Sequence, residues 1–587
     1  MKAFGKGWGE ALVLAGGAGL VTAALVAAYA PIVWKLAQQT LFYADLDGLR
    51  ELMSTQALPG GLLAWLSRGC QVTGLGSAFV WLHGLAAAGT MLLWRRVFAS
   101  QRQGFGPLLS FPAALLPVYP ALLAGTAVWL LDDYAAAFRN TFGLWTALGV
   151  YALARRTKAW IGALVAVLLF PALGYYPLLG AVAASLWCLP LVAVPAAASV
   201  LLYHDLSLDC AYLNAGAIFD RMRWCALNVW TAGAFVCFFA AAACDRFALP
   251  SLPAKVQRVV TTLARFRLVV FAGVAAVLVA GVWLCRPMPD LRGQMARERA
   301  VVEHRWADVL ATPPRNPNAL RMESAYRILA LQRLDRLPAA LLDEPLWSSQ
   351  DATDAQEDLM DGHELLFAYG LLLPARRYLY ETMATKHWMP RHFQLLGDVA
   401  FLFDEKALAE RNYRLLLRCP YYRDFAQSRL ALLWAEKAEL PPDLAAIASL
   451  ARTVNAMLTA NKVEFFDIQQ NAEQLVYNHF INVKNCDAAT ARFCLACMLL
   501  KKKHATLALN RKLLEGLFGG PAGIPPVVQQ ALVVAGTYPA DGLSPAVQQQ
   551  ALAYRTDAQR VSSGQLDQGL FLSRWASSYF FYNDFVK

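Results

Sequence analysis

The sequence predicts an all-α protein in two parts: a polytopic transmembrane helical half, then a water-soluble half built from helical repeats. Three observations carry this. Of the 587 residues, 57% are hydrophobic and only 16% are charged, where an ordinary soluble domain carries about a quarter charged residues. The average conceals a division. From Met1 to Cys285 charges are sparse and apolar runs are long; from Arg286 onward charged and apolar residues alternate at helical spacing. No run of strand-like alternation competes with the helical pattern. The expected domains are residues 1–286 and 287–587.

A membrane span needs roughly twenty mostly apolar residues. Ala11–Val33, Ser77–Trp94, Pro107–Leu131, Ala226–Ala243 and Leu268–Leu284 meet or approach that length. Asn140–Ala154 and Ala159–Gly174 are short for full spans. Pro177–Tyr203 is long and carries Pro190 and Pro195, so it is either one kinked helix or two short ones. About eight to ten spans result. Lys2 and Lys6 before the first apolar run resemble a signal sequence, but the run is too long for one and no small-residue cleavage site follows, so it reads as a retained span.

The net charge of +11 does not indicate a nucleic-acid partner. Its basic residues cluster beside apolar runs, at Arg95-Arg96, Arg155-Arg156 with Lys158, and Lys255 through Arg267, as the positive-inside rule requires. These clusters put the N-terminus in the cytoplasm and the loop Trp34–Gly76 outside, in the inner membrane of a bacterium. If Pro177–Tyr203 crosses twice, the segment from Arg286 to Lys587 emerges in the periplasm; if once, in the cytoplasm. The charge rule favours the periplasm. The eleven cysteines form no regular paired framework.

In the second half, Pro287 and Pro289, then Pro313-Pro314 and Pro317, mark breaks. Phe393, Leu396-Gly397 and Ala400, followed by Ala409, Tyr413 and Pro420, fit the tetratricopeptide pattern. Small residues there let two antiparallel helices approach, and neighbouring pairs must flank them to bury the apolar face. Weaker pairs fall at 325–342, 364–385 and 488–517.

Candidate chemistry centres on the first outer loop. Asp45 and Asp47 stand just beyond the first span, followed by Pro59-Gly60-Gly61. Paired acids at a membrane surface can bind a divalent cation, or one can act as a general base. Alternatively Leu46, Leu49 and Met53 dip into the interface while the acids face water. On a helix the two acids would point about 200° apart; on an extended segment they would share a side. One acid is expected to lead, and Asp45 is nearer the span. Asp132, Asp133 and His204 are weaker candidates for substrate contact, with hydrated span ends as the plainer reading. Cys494-x-x-Cys497 has the spacing of half a zinc site, but no second pair stands nearby, so no resident metal is expected. No Walker loop, nucleophile elbow or dinucleotide fingerprint is present. The aromatic tail Tyr579–Tyr582 reads as a cap on the helical stack.

The layout of a first span, an acidic outer loop, many spans and a soluble C-terminal domain resembles the GT-C class of membrane glycosyltransferases. That resemblance implies a transferase using a polyprenyl-phosphate sugar, with Asp45 or Asp47 as base. A likeness over more of the chain is to an uncharacterised family of bacterial multi-span proteins with a tetratricopeptide-like C-terminal half. It rests on Gln38–Phe42, Pro59-Gly60-Gly61, and Leu373–Tyr378 with Glu381 before Leu396-Gly397. Thr73–Gly76 departs from that family's aromatic pattern. This second resemblance implies an architecture and no activity. The alternative to a transferase is a non-catalytic membrane-anchored scaffold whose repeats bind a protein partner.

Overall fold

A computed structural model describes residues 2–27, 41–51, 61–73, 77–98, 105–116, 134–202, 226–246, 262, 266–284, 289–312, 321–343, 362–385, 388–435, 439–448, 451, 488–536 and 542–585. Every regular element among them is helical, and no strand occurs among the described residues. The chain divides into two compact units. Unit 1 is Met1–Pro289 with Trp388–Gln394 and Glu410–Trp434; unit 2 is Asp290–His387, Leu395–Ala409 and Ala435–Lys587. The sequence places one boundary near residue 286 and gives no sign that 388–394 and 410–434 group with the first part.

In unit 1, α1 (Lys2–Ala27) lies along α4 (Ser77–Val97). Their seam is made of small residues. Ala15, Ala18 and Ala23 are buried on α1, and Ala87 on α4. A Cβ added to Gly19 would stand 2.9 Å from the Gly84 carbonyl oxygen, and one added to Gly84 would stand 2.7 Å from that of Gly19. Backbones come this close only where no side chain intervenes. Between helices, polar side chains pair with one another. The Trp145 indole on α6 (Tyr134–Arg156) donates to Thr90 Oγ1 at 2.7 Å, and the buried Tyr176 hydroxyl donates to Asn140 Oδ1 at 2.7 Å. An aromatic core of Trp94, Phe98, Tyr151 and Phe238 fills the interior, with α10 (Ala226–Arg246) supplying Phe238.

The other predicted runs are largely helical where described. α5 (Phe105–Leu115) occupies the start of one, and α11 (Arg267–Leu284) matches another within a residue. α7 (Ala159–Leu173) ends at Gly174, whose φ of +70° closes the helix with its N–H on the Phe170 carbonyl. The proline-bearing stretch is two helices, α8 (Tyr176–Ala184) and α9 (Leu189–Leu202), parted by a 3-10 turn at Leu186–Cys188. The break falls at Ser185, before both prolines. Pro190 sits in the first turn of α9, where its missing N–H costs nothing, and Pro195 is carried inside the helix. The loop 34–76 holds two further helices, α2 (Leu46–Glu51) and α3 (Gly61–Thr73); α3 packs on α6 and buries Leu63, Ala64 and Ser67. Among the described residues no helix is long and apolar enough to cross a membrane.

Unit 2 repeats one local device. His304, Asp335, Asp404 and Lys502 hold positive φ of 54–59°, and Gly370 and Gly564 hold +74°. Each ends a helix with the same pair of backbone bonds. At Asp404, for example, the Asp404 N–H donates to Phe401 O and the Glu405 N–H to Ala400 O at 2.9 Å. This is the left-handed cap that reverses a helix sharply. The caps at 304, 335, 370 and 404 are spaced 31, 35 and 34 residues apart, and another 34 separates Lys502 from Gly536, also at positive φ. Buried Arg327 and half-buried Arg333 close other helix ends. On α14 (Arg321–Arg333), Arg327 donates to the carbonyls of Val309, Leu310 and Thr312 at the end of α13 (Trp306–Ala311), and Arg333 donates to Ala368 O. At the C-terminus, the hydroxyls of Tyr579 and Tyr582 reach Leu499 O and Leu500 O, and the Tyr579 N–H donates to Gln530 Oε1.

Candidate functional site

Asp45 sits inside unit 1 in a small, fully interlocked cluster. It is the N-cap of α2: its Oδ1 accepts from the Gly48 N–H at 2.7 Å, and its carbonyl accepts from the Leu49 N–H. Gly48 is required there, because a Cβ would meet the Tyr43 Cβ at 2.4 Å. The Asp45 carboxylate is also gripped by Arg418, with Nε to Oδ2 at 2.8 Å and Nη2 to Oδ1 at 3.0 Å. This two-bond fork is the strongest geometry an arginine and a carboxylate can adopt. The same guanidinium lies 4.1 Å over the Tyr43 ring, and the Ala44 N–H donates back to the Arg418 carbonyl.

Both sides of the clasp are anchored. Phe42 is buried against Trp65 and Gly69 of α3, while the Trp65 indole donates to the Tyr43 carbonyl at 2.9 Å. Arg418 follows α18 (Lys406–Leu417) and precedes a 3-10 turn, Pro420–Tyr422, that leads into α19 (Arg423–Leu433). Cys419 and Tyr422 are buried there, and burial pushes the Cys419 thiol up to about 12. The hydrogen bonds of Arg418 hold the Asp45 carboxyl below its ordinary value.

Asp47 lies in the first turn of α2 and diverges from Asp45, which caps that helix from outside. Its side chain is 81% exposed and pairs with Arg50 at 3.6 Å. Asp132, Asp133 and His204 lie outside the described residues. Cys494 and Cys497 stand on α20 (Ala488–Leu500); Cys494 is part of the apolar core of unit 2, and burial raises the Cys497 thiol to about 12. Among the described residues no three His, Cys, Asp or Glu side chains are grouped to hold a metal ion.

Arg418 escaped sequence reasoning. Its partner lies 373 positions away, and no local pattern marks an arginine before a turn as anything but a helix end. The segment around Arg376 entered the sequence reading only through a family likeness, not as a site. Leu373, Arg376, Arg377, Tyr380 and Glu381 on α16 (Leu372–Thr385) line an open cleft of about 440 Å³ in unit 2. Its two arginines are matched internally, Arg376 by Glu405 at 3.0 Å and Arg377 by Glu381 at 2.6 Å.

The chain belongs to the family of unknown function DUF6057, which matches residues 8–586. No curated protein and no solved structure matches it.

Proposed function

We propose that this chain is a membrane-embedded helical bundle bearing a tetratricopeptide-like array that holds a protein partner, a scaffold in place of a sugar transferase. The observation that carries this reading is the state of Asp45. A general base needs a lone pair open to substrate and a pKa raised toward the working pH. Both Asp45 oxygens are engaged by Arg418, one of them also by Gly48, and the pKa moves the other way. The geometry is that of a clasp.

Membrane embedding is supported by the surface of unit 1. Leu12, Val13 and Leu20 on α1, Leu85 on α4, Leu164 and Leu168 on α7, and Val269 and Val277 on α11 are all exposed. Apolar side chains exposed along several helices suit lipid better than water. The glycine seam between α1 and α4 and the hydrogen bonds between helices are the means by which helices associate in lipid. The described apolar part of α1, from Ala11 to Ala27, is roughly 26 Å long at 1.5 Å per residue, a few ångströms short of the hydrocarbon core. The sequence continues apolar to Val33. The array reading is supported by the 31–35-residue spacing of left-handed caps, close to the tetratricopeptide period. Placement in a bacterial inner membrane, with the array in the periplasm, is the orientation that the basic clusters favour.

The test separates scaffold from enzyme. Asp45→Asn with Asp47→Asn should lower the melting temperature of the detergent-solubilised protein and leave lipid-linked sugars and surface glycans at normal levels. Loss of one such product by orders of magnitude, at an unchanged melting temperature, would overturn the scaffold in favour of transfer chemistry. A periplasm-only reporter fused after Lys587 should be active; activity of a cytoplasm-only reporter would reverse the orientation.

A further inference from the structure

Three passages of unit 1 meet at one level. α6 ends at Arg155-Arg156, α7 begins after Lys158, and the 3-10 turn Leu186–Cys188 closes the return from α8. The Cys188 thiol lies 3.5 Å from the Ala159 carbonyl, which fixes that turn beside the start of α7. α7 and α8 have 15 and 9 residues, about 22 Å and 14 Å of helix. Both fall short of a hydrocarbon core near 30 Å, so the pair enters and leaves on the same side.

The side chains at this level divide by chemistry. Trp160 is 58% exposed and Trp187 is 88% exposed. On α7, Trp160, Leu164 and Leu168 follow at four-residue spacing along one exposed stripe. On α9, Leu189, Leu191 and Val194 are exposed as well. Three cations lie at the same turn, between α6 and α7. Arg155 is committed to Asp245 at 3.3 Å, a carboxylate that also accepts from the Tyr151 hydroxyl at 2.8 Å. Arg156 and Lys158 are exposed and have no ion-pair partner among the described residues. Large aromatic rings with a polar edge belong at the boundary between acyl chains and headgroups, and unpaired cations just beyond them meet phosphate.

We infer that Arg156 and Lys158 of the α6–α7 turn, which carries exposed Trp160 and is held beside the turn of exposed Trp187, bind the phosphodiester headgroup of an anionic phospholipid. The occupant is a lipid and not a soluble anion, because the two cations stand at the start of the exposed apolar residues of α7, and α9 beside it exposes more, which acyl chains would cover. Asp245 holds Arg155 out of this role and keeps the end of α6 in place. The inference rests on the membrane reading above.

Full-length protein, taken from membranes after alkaline carbonate washing, is placed in nanodiscs of phosphatidylcholine with or without phosphatidylglycerol. Lipids that stay bound after mild detergent release are counted by native mass spectrometry. The expected result is a preference for phosphatidylglycerol that Arg156→Gln with Lys158→Gln lowers about twenty-fivefold, at roughly fivefold per cation. Arg156→Lys should retain most of it, and the melting temperature should not move. Equal retention of both lipids by the unaltered protein, or a preference indifferent to the double substitution, would refute headgroup binding and leave membrane embedding standing. Displacement of the lipid by inorganic phosphate alone would make a soluble anion the occupant and overturn it too. Release of the protein into the carbonate supernatant would sink the membrane reading and this inference together.

Discussion

Gly19 and Gly84 face each other so closely that a Cβ on either would come within 3 Å of the other's carbonyl oxygen. The α1–α4 seam is therefore set by backbone contact. Gly84→Val should force the helices apart and cost about 1–3 kcal/mol, read as a lower melting temperature in detergent. Gly16→Ala on the same helix as Gly19 meets nothing within 4 Å and should be silent. Equal effects from the two would show that the seam has been misread.

The Asp45–Arg418 clasp is half exposed, with side-chain exposures of 44% and 29%. Solvent screening limits its coupling to about 1 kcal/mol or less. A double-mutant cycle of Asp45→Asn and Arg418→Gln should return that value with a favourable sign. Asp45→Ala should cost about 1 kcal/mol beyond Asp45→Asn, since alanine cannot cap α2. Strict additivity of the two single substitutions would remove the clasp.

Acid should loosen the same contact. The folded-state pKa of Asp45 lies below its ordinary value because Arg418 hydrogen-bonds its charged form. Its stabilisation is then fully present above the unfolded value near 4 and is lost as pH falls through the lower folded value. Melting temperatures taken from about pH 7 down to about pH 3 should fall less steeply for Asp45→Asn than for the parent. Parallel curves would contradict the assignment.

Arg327 closes the end of α13 with one guanidinium over three carbonyls. Arg327→Met fills similar space but leaves those acceptors in a buried setting. A loss of about 3 kcal/mol is expected, visible as early unfolding of unit 2 in hydrogen exchange over residues 306–333. Unchanged protection there would mean that water satisfies the helix end.

The left-handed caps give a prediction of opposite sign. Asp404 holds φ +59°, a conformation that glycine adopts without strain. Asp404→Gly should be neutral or stabilising by up to about 1 kcal/mol, whereas Asp404→Val should destabilise by about 1–2 kcal/mol. Chemical denaturation of the full chain measures both. Stabilisation by valine would be incompatible with the observed turn.

What the sequence made legible follows from the range of the interactions concerned. Helical periodicity is local, so α4 and α11 lie within a few residues of their expected limits. The helices Pro390–Leu402 and α18, between Phe393 and Pro420, were readable because helical spacing is local as well. The break in the proline-rich stretch was not, since Pro190 and Pro195 fit into α9 and the chain turns at Ser185. The loop 34–76 drew notice for its acids and its Pro59-Gly60-Gly61 turn, not for α3, although Leu62-Leu63 and Trp65-Leu66 already carry the one-sided pattern that α3 buries in part. Asp45 stood out by residue type and position. The character of its site did not, because Arg418 supplies it from a segment with no sequence tie to the loop.

The length of chain between those two residues has a consequence in time. A ribosome adds about 5–20 residues per second, so the 373 positions from Asp45 to Arg418 take roughly 20 to 75 seconds to make. Throughout that interval Asp45 has no arginine to grip and the Tyr43 ring has no cation above it. The first loop of the protein is thus among the last parts to be finished, and a chain stopped anywhere short of Arg418 carries it unlatched.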